Sequence, residues 1–149
     1  MVGLRMTKKR KGFVRGFTLI ELMIAIAVLG ILLAIAVPNF NKYLLESRRA
    51  QAQSEMLQIR LGLEKWRANN NAYSANLSDA GFIDNNDYYD YTITGTNPGD
   101  PPTGSVYVIR ATAVAGKSQV NDKTGDGTSC TPLTLDQNGV KAPAACWKK

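Results

Sequence analysis

Residues Phe17–Val37 read FTLIELMIAIAVLGILLAIAV, an apolar run in which Glu21 is the only charge and Thr18 the only other polar side chain. Wound as an α-helix, this run extends about 31 Å, close to the roughly 30 Å hydrocarbon thickness of a bilayer. With that match in length and a single charge, the run is read as a membrane span. Six basic residues (Arg5, Lys8, Lys9, Arg10, Lys11, Arg15) and no acid precede it. On the far flank Lys42, Arg48 and Arg49 are offset in part by Glu46. The positive-inside bias therefore puts the N-terminus in the cytoplasm and the remainder across the membrane.

The chain has 149 residues and a formal net charge of +6, but past residue 16 the 12 basic and 12 acidic side chains cancel. The positive balance belongs to the leader, which weakens the case for nucleic acid as a partner of the rest. There is no His and only 2 Cys, so the commonest general base and the usual zinc ligand sets are missing. Ser, Thr and Cys nucleophiles thus lack a His partner, and no spacing singles out a Ser-Lys or Cys-Lys pair. We assign no catalytic, metal or cofactor residue, and expect a structural role instead of an enzyme.

Glu21 is the informative residue of the span. A carboxylate in an apolar helix costs free energy unless it snorkels or pairs, and Phe17–Val37 contains no cation. A cut between Gly16 and Phe17 would create an α-amino group four residues before Glu21 and remove the leader charges. That ammonium could meet Glu21 of a neighbouring copy and set the register between subunits. A cleaved secretory signal is the alternative, with Ala34-Ile35-Ala36 as an A-x-A match, but the apolar run is longer than the usual h-region and contains an acid.

A basic leader ending in Gly16, followed by Phe17-Thr18-Leu19-Ile20-Glu21-Leu22 and a long apolar helix, resembles a type IV prepilin. The resemblance covers roughly residues 12–43. It implies cleavage after Gly16 and N-methylation of Phe17 by a membrane aspartyl prepilin peptidase. It also implies pairing by Glu21 and incorporation into a pilus with other pilin subunits on an inner-membrane assembly platform. Membrane lipid surrounds the span before assembly, and the head is then periplasmic before reaching the cell surface. Gly12-Phe13 offers a competing cut, but the fifth residue after it is Phe17 and not an acid. In the pilins this chain resembles, the stretch corresponding to Gly30–Pro38 can lose helical structure in the filament. Independently, Pro38 lacks the N–H for the carbonyl of Ala34, so a kink is expected near residues 34–38.

The helical pattern continues to about Ala68. Phe40 and Leu44, then Ala52, Met56, Ile59, Leu63 and Trp66, form one apolar stripe. Glu46, Arg48, Arg49, Gln53, Glu55, Arg60 and Glu64 are read as the opposite, polar face. Asn69-Asn70-Asn71 provides a stop. Alternating, β-rich segments then predict strands at Tyr88–Thr94, Ser105–Val114 and Thr131–Asp136. Asn138-Gly139 signals a hairpin into a fourth segment around Val140–Ala144. The expected fold is α+β: residues 1–16 a leader, 17–37 a spanning helix, 38–70 its amphipathic continuation, and 71–149 a small antiparallel β head covered by the stripe.

Cys130 and Cys146 bracket fifteen residues, and outside the cytoplasm a disulfide is the default reading, contributing about 3 kcal/mol by loop entropy. The run from Cys130-Thr131-Pro132-Leu133 through Gly139 to Cys146-Trp147 also resembles the C-terminal disulfide loop of minor pilins of the PilE type. Asp122-Lys123-Thr124-Gly125-Asp126-Gly127 faintly suggests a calcium loop but lacks the closing acid, and is read as a solvated turn. Tyr88, Tyr89, Tyr91 and Tyr107 are read as strand-face packing over a stacking surface for single-stranded DNA. A type II secretion pseudopilin and a membrane-anchored DNA-uptake module are the alternatives to a pilus subunit. Absence of the Cys130–Cys146 bond and a calcium requirement would favour the former.

Overall fold

The computed structural model describes residues 16–147; residues 1–15, including the basic run and the Gly12-Phe13 pair, lie outside it, as do 148–149. Among the described residues one α-helix, α1 (Leu19–Arg67), is followed by four strands: β1 (Tyr89–Thr94), β2 (Val108–Ala113), β3 (Leu133–Asp136) and β4 (Lys141–Ala142). Short 3-10 turns occupy Ser118–Asn121 and Ala144–Trp147. The chain divides into two units between Asn39 and Phe40.

In the first unit α1 carries apolar side chains that are exposed on every face, from Leu19 to Val37. This is the helix long and apolar enough to cross a membrane. The helix is assigned continuously through Gly30 and Pro38. The missing N–H at Pro38 leaves the carbonyl of Ala34 without its helical donor but does not end the helix.

In the second unit the strands form an antiparallel meander in the order β1-β2-β3-β4. Alternation puts Tyr89, Tyr91 and Ile93 of β1, Ile109, Ala111 and Ala113 of β2, and Leu133 and Leu135 of β3 in the core. Register sets large against small: Tyr89 faces Ala113, Tyr91 faces Ala111, and Ala111 faces Leu133. Ala52, Met56, Ile59 and Leu63 of α1 are fully buried in the same core, so the stripe covers the sheet as its spacing predicts. Trp66 is only half-buried at the end of the stripe, and Phe40 is exposed.

The strands are shorter than their sequence signals, for reasons visible in the chain. Pro132 cannot donate to a ladder, so β3 begins at Leu133 and not at Thr131. Pro143 ends β4 after two residues. Ser105–Tyr107 approach β2 through a turn closed by Thr103 N–H donating to Val106 O at 2.9 Å, leaving β2 to start at Val108. The Asn138-Gly139 hairpin is present, with Gly139 at φ +78, a conformation that suits glycine.

Gly62 lets α1 approach the backbone at Ala80 closely. A Cβ there would sit 1.8 Å from the carbonyl oxygen of Ala80 and 2.6 Å from its carbon. Helix propensity alone favours alanine over glycine by about 1 kcal/mol, whereas overpacking against backbone costs about 1–3 kcal/mol. Gly62→Ala is therefore expected to lower stability, by up to about 2 kcal/mol net, in urea unfolding of the full chain. A gain in stability would show that the backbone around Ala80 yields freely.

Candidate functional site

The N-terminus of α1 is built by a local hydrogen-bond pattern. Thr18 precedes the first helical residue, its carbonyl accepts from Leu22 N–H at 3.3 Å, and its Oγ1 accepts from Glu21 N–H at 3.3 Å. Thr18-x-x-Glu21 is thus the forward half of a capping box, a spacing that was legible in the sequence and is not part of the charge argument. Glu21 falls in the first turn, where the unpaired N–H groups and helix dipole favour an anion. The Gly16–Phe17 bond lies outside the helix, and both residues are exposed, Phe17 at 83%. Within one turn the structure therefore collects an accessible bond, the helix cap and the lone acid.

The polar residues read as lying opposite the apolar stripe of α1 have a different fate. Arg49 Nη1 donates to Asp122 Oδ1 at 2.8 Å, with side chains 11% and 2% exposed. Gln53 donates to Cys146 O at 2.8 Å, and Arg60 to Gln137 O at 3.3 Å. Glu55 accepts from the Tyr91 hydroxyl in a short bond and from Asn86 Nδ2 at 2.7 Å. Glu64 accepts from Tyr107 at 2.9 Å and Tyr73 at 3.0 Å. These residues flank the apolar stripe and tie it to the head. Their partners lie 9 to 93 positions along the chain, beyond the reach of any periodicity.

The tyrosines are packing residues for the most part. Tyr89 and Tyr107 are fully buried and Tyr91 nearly so, while Tyr88 lies just before β1 and is half-buried. Burial, reinforced by the Asp122 charge, pushes the Tyr89 hydroxyl up to about 12. Burial and the bonds to Glu55 and Glu64 raise Tyr91 and Tyr107 as well.

Asp122 corrects the reading of residues 122–127 as a solvated turn. Only 1% exposed, it bonds Arg49 and accepts from Gln119 Nε2 at 3.0 Å, so its oxygens face inward. Burial raises its carboxyl, with Arg49 and Gln119 pulling the other way. The rest of the turn is solvated, with Thr124 and Thr128 holding the Asp126 carboxyl down at about 2. Among the described residues no cluster of three or more acidic, His or Cys side chains could hold a metal ion. Cys130 and Cys146 are joined in a disulfide that lies in the core beside Arg49.

The family described as the prokaryotic N-terminal methylation motif matches residues 14–37. The family described as type IV minor pilin ComP, DNA uptake sequence receptor, matches residues 38–134. The chain is 32% identical over 108 residues to the type IV major pilin protein PilA of Myxococcus xanthus, covering 72% of this chain but spanning only 41% of that protein. It is 28% identical over 151 residues to a type IV major fimbrial protein FimA of Dichelobacter nodosus, covering 92% of this chain and 88% of that one. Another FimA of that organism is 31% identical over 138 residues, with 85% and 82% covered. A solved type IV pilin from Shewanella oneidensis superposes with a TM-score of 0.50 at 25% identity, covering 70% of this chain and 99% of that one.

Proposed function

The chain belongs to the type IV pilin family, and from that premise we propose that it is a minor subunit of a type IV pilus, with an assembly role and no catalysis. Prepilin peptidase cuts after Gly16 and methylates Phe17. Phe17–Val37 waits in the inner membrane with its N-terminus cytoplasmic and the head periplasmic, and then packs against the same segment of other subunits on the assembly platform. One observation carries this reading: an apolar helix exposed on all faces with a single acid, Glu21, in its first turn. The minor assignment rests on the C-terminal resemblance and on the description of the family matching residues 38–134, while the relatives named above are major pilins.

N-terminal sequencing of the protein recovered from sheared filaments is expected to start at methylated Phe17. A start at Val37 would make it an ordinary exported protein, and an intact leader in filaments would remove the proposed amine. Glu21→Ala is expected to insert normally into the membrane while its incorporation into filaments falls about tenfold or more, a loss of about 1.4 kcal/mol or more per contact. Normal incorporation would dispose of the pairing role. In a filament map, helical density around Gly30–Pro38 is expected to be interrupted, although α1 is continuous in the isolated chain. Adhesion and twitching motility are the processes such a filament would serve.

A DNA-uptake role is the second reading, favoured by the description of the family matching residues 38–134. It predicts DNA binding by the full chain with an affinity that falls as salt rises. The balanced charge past residue 16 argues against it. For a secretion pseudopilin, the Cys130–Cys146 bond removes one of the two observations that would favour it.

A further inference from the structure

The charge that cancels across the chain past residue 16 is unevenly distributed. Residues 42–49 and 117–123 contain five basic side chains (Lys42, Arg48, Arg49, Lys117, Lys123) against two acids, Glu46 and Asp122. Both acids are engaged: Asp122 with Arg49 at 2.8 Å, and Glu46 with Lys42 at 4.0 Å. Among the described residues, Arg48, Lys117 and Lys123 form no ion pair. The remaining positions past residue 16 hold seven basic and ten acidic residues. The two basic segments are brought together by packing, since Arg48 Nη1 donates to Ser118 Oγ at 2.9 Å.

Arg48 keeps hydrogen-bond donors that its own contacts do not use. Its guanidinium lies 3.7 Å from the centroid of the Tyr88 ring, and Lys117 Nζ lies 6.0 Å from the same centroid. The two cations are thus no more than about 10 Å apart, with no carboxylate bonded to either among the described residues. One of the five guanidinium N–H groups is used by Ser118, which leaves donors for an oxyanion. Beside them is a cavity of about 410 Å³ lined by Asn41, Leu44, Leu45, Arg48, Ser118 and Asn121. Its lining combines two leucines with polar groups and a cation, a chemistry suited to an amphiphile with a charged oxygen head.

Its position along the chain supplies the source of that amphiphile. Asn41 is four residues beyond Val37, so however the chain bends it lies within about 14 Å of the end of the apolar run, and at helical rise about 6 Å. The polar layer of a bilayer occupies several ångströms outside the hydrocarbon on each side. Arg48 starts eleven residues beyond Val37, about 16 Å at helical rise, and its side chain leans back toward Asn41, with which it shares the cavity. We propose that this Arg48, Lys117 and Ser118 cluster binds the phosphodiester headgroup of an anionic phospholipid, seating the head on the membrane surface before the subunit enters a filament. This rests on the reading of Phe17–Val37 as a membrane span.

The test uses the full chain in nanodiscs of phosphatidylcholine alone and of phosphatidylcholine with phosphatidylglycerol, with amide hydrogen exchange read over Val114–Asp122. Exchange there is expected to slow about threefold or more with phosphatidylglycerol. The slowing should vanish in about 0.5 M NaCl, where screening is confined to a few ångströms, and in the R48Q/K117Q double variant. Lys117 is exposed, so K117Q alone keeps the fold and should lose part of the effect. Equal exchange in both lipids, or slowing that survives the double variant, overturns the proposal. The same slowing on adding inorganic phosphate to phosphatidylcholine discs also overturns it, in favour of a site for free oxyanions. A chain that enters neither disc refutes the membrane span itself, whereas insertion without protection refutes the headgroup site alone.

Discussion

Arg49→Ala is expected to destabilise the head by about 3–5 kcal/mol, because it strands the Asp122 carboxylate in the core. With a side chain only 2% exposed, Asp122 keeps Arg49 as its one cationic partner among the described residues, at 2.8 Å. Gln119 Nε2 supplies a second contact at 3.0 Å but no charge, and shares its two N–H groups among Asp122, Tyr89 at 2.9 Å and Leu45 O at 3.1 Å. The cost should therefore arise from the orphaned charge more than from loss of the pair. Two further measurements separate these causes. The Arg49→Met/Asp122→Asn double variant should recover most of the stability in urea unfolding of the detergent-solubilised chain. Burial already raises the Asp122 carboxyl, and loss of Arg49 raises it further. The folded form of Arg49→Ala would then hold a proton that the unfolded form releases near pH 4. Its penalty should be full above the raised folded value and shrink as the pH falls through that value toward 4. A penalty that stays constant with pH would locate the loss in packing instead.

Alkaline unfolding is the second large effect. Tyr89, Tyr91 and Tyr107 are buried, and all three hydroxyls are raised, Tyr89 to about 12. In the unfolded chain each titrates near 10. Between pH 10 and their folded values the native state retains three protons that the unfolded state has lost, so stability falls as the pH rises. Each group contributes about 1.4 kcal/mol per pH unit, together about 4 kcal/mol per unit, and none of this loss occurs below pH 10. The absorbance change of the three buried tyrosines and the circular dichroism should therefore coincide in one cooperative transition above pH 10. Titration of all the tyrosines near pH 10 with the fold intact would contradict their burial. The bonds to Glu55 and Glu64 sharpen the effect, since ionising Tyr91 or Tyr107 would set a phenolate against a carboxylate of α1.

The misread polar face of α1 shows where sequence reasoning stops. Ala52, Met56, Ile59 and Leu63 were identified by spacing alone, because burial against a sheet imposes the helical period on apolar residues. Arg49, Gln53, Glu55, Arg60 and Glu64 carry no such period, and a polar residue at the margin of the stripe looks the same whether it meets water or a buried phenol. Gly62 is a similar case: as a letter in a helix it is a mild defect, and only the Ala80 carbonyl beside it makes glycine necessary. The solvated-turn reading of residues 122–127 failed at Asp122 for the same reason, since that residue is defined by an arginine 73 residues away.

What the amino-acid order determined by itself is everything set by local chemistry. That includes the apolar span with its lone Glu21, the amphipathic stripe, the strand alternation and the Asn138-Gly139 hairpin. These follow from hydrophobic period, helix-end hydrogen bonding and turn geometry, which act over a few residues. The tertiary structure alone decided which cations are neutralised and which are left facing outward. Arg48 and Arg49 are adjacent in sequence, yet Arg49 is paired in the core while Arg48 lines a cavity with no ion-pair partner among the described residues. Electrostatic roles depend on partners that folding brings together from distant parts of the chain, and on the water it removes between them.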